Sequence, residues 1–291
     1  MIESLLDYLN MRKPHLLPNF FTALSLCCGL FVIFKMSMIE PHAVTGKELT
    51  TAAVILLVAG LFDVLDGAVA RAMRVESDFG GFFDSMSDAI TFGVAPAVIA
   101  VKGLSPVLGT FYSFMVLTAA MAYAVSGVFR LVRFSVTQHQ IQGDVEKMAD
   151  FKSHFTGLPI PAAALSVTSL VLFMLSDEGK HLVSLSQETQ CWIASIALFL
   201  LGYFMASRWK FPSAKALHFR IRSYETVAFV AILTSILIVG TVNYFTIMLF
   251  VVTWGYFLIS FFLSLTRLIL GRRIKLLEDF DMDDEPHEDE R

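Results

Sequence analysis

Apolar residues in this chain are gathered into long runs, near 18–38, 51–74, 80–101, 107–133, 158–176, 190–206, 223–240 and 244–270. A helix of about 20 apolar residues spans roughly 30 Å of hydrocarbon. The pattern therefore predicts an all-α integral membrane protein with about eight transmembrane helices. Before the first run, Ile2, Leu5, Leu6 and Leu9 share one helical face, which predicts a short amphipathic helix at the interface. After the last run, "EDFDMDDEPHEDER" is acidic and poor in apolar residues, as in a disordered tail. The chain so divides into an interfacial segment at 1–17, a membrane domain at 18–275 and an acidic tail at 276–291.

Composition agrees with this division: 56% of residues are hydrophobic, 27 are Phe and only 16% are charged. Those values exclude an ordinary soluble domain and give no basic surface for nucleic acid. The first apolar run follows Arg12, Lys13, Pro14 and His15 without a small-residue cleavage site, so it reads as a retained helix. Cys27, Cys28 and Cys191 have neither disulfide nor metal spacing and read as packing residues.

Charge supplies the orientation. With eight spans, 18 Lys and Arg fall on the side of the two termini and 4 on the other. The positive-inside rule then puts both termini in the cytoplasm, with the plasma (inner) membrane as the expected location.

One stretch breaks the apolar pattern. "FDVLDGAVARAMRVESDFGGFFDSMSD", residues 62–88, carries five Asp, one Glu and two Arg across a predicted helical hairpin. Asp63 and Asp66 lie about 60° apart around one helix, and Asp84 and Asp88 about 40° apart around the next. Asp66 and Asp88 are each 11 residues from Ser77, which predicts a common depth of about 16 Å along the helices. Each Asp costs roughly 2.5–3.5 kcal/mol at the centre of a bilayer, so the four together need compensation of about 10 kcal/mol. Divalent cations can supply it. An all-oxygen cluster suits Mg²⁺ or Mn²⁺, and a pair of such ions is a device for phosphoryl transfer. Gly67, Ala70, Gly80 and Gly81 leave room for a ligand beside the backbone, or for close helix packing.

The pattern Asp63-x2-Asp66-Gly67-x2-Ala70-Arg71-x8-Gly80-x3-Asp84-x3-Asp88 resembles, at all its fixed positions, the signature of the CDP-alcohol phosphotransferase family. The resemblance implies transfer of a phosphatidyl or similar group from a CDP-linked donor to an alcohol, with release of CMP. It implies that Asp63, Asp66, Asp84 and Asp88 hold two divalent metals. Asp88 would also take the acceptor's proton, and Gly67, Ala70, Arg71 and Gly80 would line the CDP pocket. "LPNFFTALSLCCGLF", "FRLVRFSV", "FTGLPIPAAA" and "YFMASRWKFPSAK" are similar to the serine-accepting branch. That similarity implies CDP-diacylglycerol and L-serine as substrates, with membrane lipids around the site and a homodimer as the expected assembly.

Serine's carboxylate needs a cationic partner. Arg130 and Arg133, three residues apart on one helix, are candidates for a bidentate clamp on it or on the lipid phosphate, and Lys215 and Arg208 are further candidates. All four also read as anchors snorkelling to lipid headgroups. Asn19 and Thr22 could hydrogen-bond the nucleotide or simply join helices. "GLPIP" reads as a helix start, and His154 as a solvated loop residue. Glycerol 3-phosphate, inositol or inositol phosphate are the other acceptors within the family. A cation transporter is a different class, but the acidic residues sit on one hairpin without an inverted repeat. An intramembrane prenyltransferase would spread its aspartates over two distant motifs.

Overall fold

A computed structural model describes residues 2–40, 43–73, 78–140, 155–207, 209–211 and 244–282. In chain order the helices are α1 (Ile2–Met38), α2 (Gly46–Met73), α3 (Asp78–Asp88), α4 (Ala95–Leu104), α5 (Phe111–Gln140), α6 (Ile160–Leu175), α7 (Asp177–Leu182), α8 (Gln187–Ala206) and α9 (Phe245–Met282). A π-helical turn, Ala89–Val94, joins α3 to α4, making one continuous apolar helix over Phe79–Leu104.

The all-α membrane architecture follows the apolar runs. Six described helices are long and apolar enough to cross a bilayer: Pro18–Met38, Gly46–Met73, Phe79–Leu104, Phe111–Thr137, Gln187–Ala206 and Phe245–Thr266. The expected run at 158–176 is the shorter helix α6, with 16 residues, and the run at 223–240 lies outside the described residues. Among the described residues, six of the eight predicted runs are therefore long helices and a seventh is the shorter α6. The backbone of α1 is helical from Ile2 without a break at residue 17, and that of α9 continues to Met282, past residue 275.

Helix α6 is short because it is central. It begins at the prolines of "GLPIP", with Pro159 as its N-cap and a proline in its first turn, where a missing N–H costs nothing. Buried residues occupy nearly its whole circumference, from Ile160 and Ala163 to Leu172 and Met174, as in a core helix rather than an amphipathic one. Around it pack α2, α4, α8 and α9. Trp254 of α9 donates its indole N–H to the Ser166 carbonyl at 3.2 Å, and the Ser169 and Thr253 hydroxyls meet at 2.8 Å. Large apolar side chains outside this core, among them Phe34, Phe82, Phe114 and Phe262, are exposed, as expected of a surface solvated by lipid.

The π-turn has a local cause. Pro96 has no N–H, and its ring presses on the carbonyl of the residue four before it, Phe92. The helix widens through this turn, and the Phe92 carbonyl accepts from the Tyr123 hydroxyl at 3.0 Å. Tyr123 is fully buried. The widening starts at Ala89, directly after the last signature aspartate.

Close approaches lock the helices at the same level. A Cβ on Gly29 of α1 would lie 2.7 Å from Cα of Thr91. One on Gly127 of α5 would lie 2.9 Å from Ile160 Cδ1. A two-residue antiparallel ladder pairs Phe155 with Phe211 and Thr156 with Lys210, drawing the segment before α6 against the one after α8.

Candidate active site

Asp63 and Asp66 sit on α2 and Asp84 and Asp88 on α3. Asp63 lies ten residues before the end of α2 at Met73, and Asp88 ten residues after the start of α3 at Asp78. Folding the hairpin therefore brings these two to one depth, and their carboxyls adjoin. The prediction from Ser77 pairs Asp88 with Asp66 instead. The ends of α2 and α3 place Asp88 level with Asp63, about one turn along α2 from Asp66. Asp63, Asp66 and Asp84 each offer a carboxylate oxygen, all within 4.8 Å of one another.

This is an expensive arrangement. Four like-charged groups converge within a bilayer-spanning bundle, and Oδ1 of Asp84 and Oδ1 of Asp88 are buried with no hydrogen-bond partner among the described residues. A buried carboxylate oxygen left unpaired costs more than the hydrogen bonds nearby return. The donor set is all oxygen, closely spaced and short of positive charge, which is the chemistry of a site for a hard divalent cation.

Other predicted residues take distinct places around the cluster. Asn19, Gly67, Ala70 and Gly80 are half-buried, and Arg71 is exposed. Arg71 turns back along α2, so that a Cβ on Gly67 would meet its Nη1 at 3.2 Å, and its charge faces Asp66. Thr22 is buried and donates to Oδ2 of Asp66 at 2.6 Å. Lys215 and Arg208 lie outside the described residues, as does His154.

The two arginines of α5 part company. Arg130 is 9% exposed, its Nε has no hydrogen-bond partner among the described residues, and its charge faces Asp88, Arg133 and Tyr256. Arg133 donates from Nη1 to the Ala206 carbonyl at 2.6 Å and from Nη2 to the Ser207 carbonyl at 3.0 Å. Those carbonyls end α8, where a helix leaves acceptors unsatisfied and favours a cation. Gly157 closes the same corner with φ +86° and donates its N–H to the Trp209 carbonyl at 2.8 Å. A Cβ there would sit 2.6 Å from the Met205 carbonyl oxygen. Arg133 thus clasps α5 to α8, while Arg130 is buried within electrostatic range of Asp88.

Tyr256 of α9 was not among the sequence candidates. It sits in an apolar run whose spacing says nothing of what it faces, 126 residues beyond Arg130 in the chain. Ser87 and Thr91 on the α1-facing side of the α3 rod were likewise missed; small hydroxyl residues in a span read equally well as packing.

An all-helical membrane bundle thus carries a buried cluster of carboxylates whose donor set suits a hard divalent cation, with a buried guanidinium in electrostatic range of it. Residues 15–205 match the CDP-alcohol phosphatidyltransferase family, and the chain belongs to that family. It is 31% identical over 213 residues to CDP-diacylglycerol–serine O-phosphatidyltransferase of Helicobacter pylori, covering 73% of this chain and 78% of that one. The enzyme of the same name from Bacillus subtilis is 30% identical over 68% of this chain and 91% of its own length. One from Methanocaldococcus jannaschii is 31% identical over 63% and 78%.

Proposed function

We propose that this enzyme transfers the phosphatidyl group of CDP-diacylglycerol to the hydroxyl of L-serine, giving phosphatidylserine and CMP. The observation that carries the reading is a buried arginine, Arg130, within electrostatic range of Asp88 in the acidic cluster. Asp88 has a buried oxygen, and Arg130 a buried Nε–H, with no hydrogen-bond partner among the described residues. Relatives spanning bacteria and an archaeon carry the name of the same reaction. The signature aspartates fit the family's chemistry.

In this mechanism Asp63, Asp66, Asp84 and Asp88 would hold divalent cation, Mg²⁺ or Mn²⁺, expected as a pair of ions. A metal held there would supply positive charge against the donor's pyrophosphate and the departing CMP. Asp88 accepts the proton of the serine hydroxyl as its oxygen attacks the phosphorus that carries the diacylglycerol. The bond from that phosphorus to the bridging oxygen breaks, and CMP departs with the electron pair. Arg130 receives the serine carboxylate through a charge-assisted contact and so presents the hydroxyl to Asp88. Asn19, Gly67, Ala70, Arg71 and Gly80 surround the CDP moiety. Lys215 is kept as a further contact to serine or lipid phosphate.

The site end of the bundle faces the cytoplasm, since that orientation puts most of the Lys and Arg inside. Water-soluble CMP and serine then exchange on that side while the acyl chains stay in lipid.

Serinol, which has the same hydroxymethyl and amino groups but no carboxylate, tests the acceptor assignment. Wild type should strongly prefer serine, and Arg130→Ala should bring the two acceptors close together by raising the serine KM alone. Equal use of both acceptors by wild type would rule out recognition through the carboxylate.

A further inference from the structure

Thr22 lies on α1, outside the acidic signature, yet it touches both halves of the signature hairpin. Its hydroxyl donates to Oδ2 of Asp66 at 2.6 Å, while the carbonyl one turn back, on Pro18, lies at 3.2 Å. A threonine hydroxyl inside a helix ordinarily returns its proton to that carbonyl. Here the carboxylate is the nearer acceptor, at the short distance of a charge-assisted bond. Thr22 is 4% exposed and Asp66 5%, so this hydroxyl is committed and closed off from a nucleotide.

The backbone of the same residue reaches the other helix. Ser87, which lies between Asp84 and Asp88 on α3, donates its hydroxyl to the Thr22 carbonyl at 3.3 Å. One turn further along, Thr91 donates to the Ser25 carbonyl at 3.3 Å, and Gly29 lets the Thr91 backbone come close. These contacts form a seam that fixes the register of α1 against α3 at the depth of the carboxylates.

We propose that Thr22 is a positioning residue for the metal cluster. It fixes the rotation of the Asp66 carboxylate through its hydroxyl, and its carbonyl holds α3, through Ser87, against α1. The inference rests on the reading that the signature carboxylates hold a divalent cation. It replaces a nucleotide contact as the role of Thr22.

Mn²⁺ titration of the purified full-length protein, with free Mn²⁺ read by electron paramagnetic resonance, tests this without turnover. CMP binding at saturating Mn²⁺ is measured alongside by calorimetry. Thr22→Val keeps the shape and removes the hydroxyl; it should weaken Mn²⁺ about 10- to 100-fold, the usual effect of removing a residue that orients a metal ligand. Thr22→Ser should bind Mn²⁺ like wild type, and CMP affinity at saturating Mn²⁺ should be the same in all three proteins. Thr22→Ala, which cannot clash, carries the same expected loss if the valine variant does not fold. Wild-type Mn²⁺ affinity in Thr22→Val and Thr22→Ala would overturn the proposal, and weakened CMP binding in the same proteins would return Thr22 to the nucleotide pocket. Absence of saturable Mn²⁺ binding in wild type would instead retire the metal reading, and this role with it.

Discussion

Single replacement of Asp63, Asp66 or Asp84 by Ala removes one of three oxygens gathered within 4.8 Å. Turnover should fall by about a hundredfold or more in each variant, on the scale of losing one electrostatic stabiliser of a transition state. CMP release per folded enzyme measures it, with monodispersity in detergent as the control for folding. Asp88→Ala should lose about 10²- to 10⁴-fold as the proton acceptor; near-normal turnover would remove it from that role. For Arg130→Ala the expected change is in the serine KM, by about 10- to 100-fold, the worth of a hydrogen bond to a charged group. Arg133→Ala should leave that KM unchanged and lower thermal stability, because its guanidinium serves the Ala206 and Ser207 carbonyls. The aspartates were legible in the sequence because their pattern is local and charges are conspicuous in an apolar run. The separate duties of Arg130 and Arg133 were not, since three-residue spacing puts both on one face and only the position of α8 tells them apart.

At the level of elements, the hairpin of α2 and α3 works because its surroundings fix where each helix widens, stops or crosses. Pro96 opens the π-turn immediately beyond Asp88, and π-turns inside helices recur at functional sites. Tyr123→Phe would strand the Phe92 carbonyl in a buried position, with an expected loss of about 1–3 kcal/mol of stability in thermal unfolding. An unchanged midpoint would mean that the carbonyl finds another donor. Gly157→Ala should be worse tolerated than an average loop substitution, for two independent reasons. Its φ of +86° disfavours a side chain, and the new methyl would press on the Met205 carbonyl. Most apolar runs announced these helices, since twenty consecutive apolar residues have little alternative in a bilayer. The π-turn was missed because its cause is one proline inside a run that otherwise reads as uniform helix. The hairpin register was displaced for a similar reason: the depth of Asp88 depends on where the turn centres, and the polar residues around Ser77 allow several centres.

Across the molecule, the bundle separates two tasks. Helix α6 and its neighbours bury a core that includes Leu49, Ile99, Leu172 and Leu201, while the carboxylates, Arg130 and the arginine clasp sit together toward one end. The other end is tied by different contacts, such as Lys102 donating to the carbonyls of Ser37 and Ile39 at 3.4 Å. A rigid frame with its charge at one end can expose a nucleotide site to water while its flanks stay in lipid. Fold class and family were readable from hydropathy and one motif. The serine acceptor was readable only through the resemblance of four further segments to the serine-accepting branch, since hydropathy and spacing carry no information about it.

The central claim is the identity of the reaction, and the most direct measurement is product analysis with purified enzyme and CDP-diacylglycerol in the presence of Mn²⁺ or Mg²⁺. L-Serine, glycerol 3-phosphate, inositol and inositol phosphate are offered separately, with CMP and the lipid product both quantified. The account predicts CMP release that requires serine and metal, matched one for one by phosphatidylserine, and reduced about 10²- to 10⁴-fold in Asp88→Ala. Equivalent release with another acceptor, and no phosphatidylserine, would contradict it.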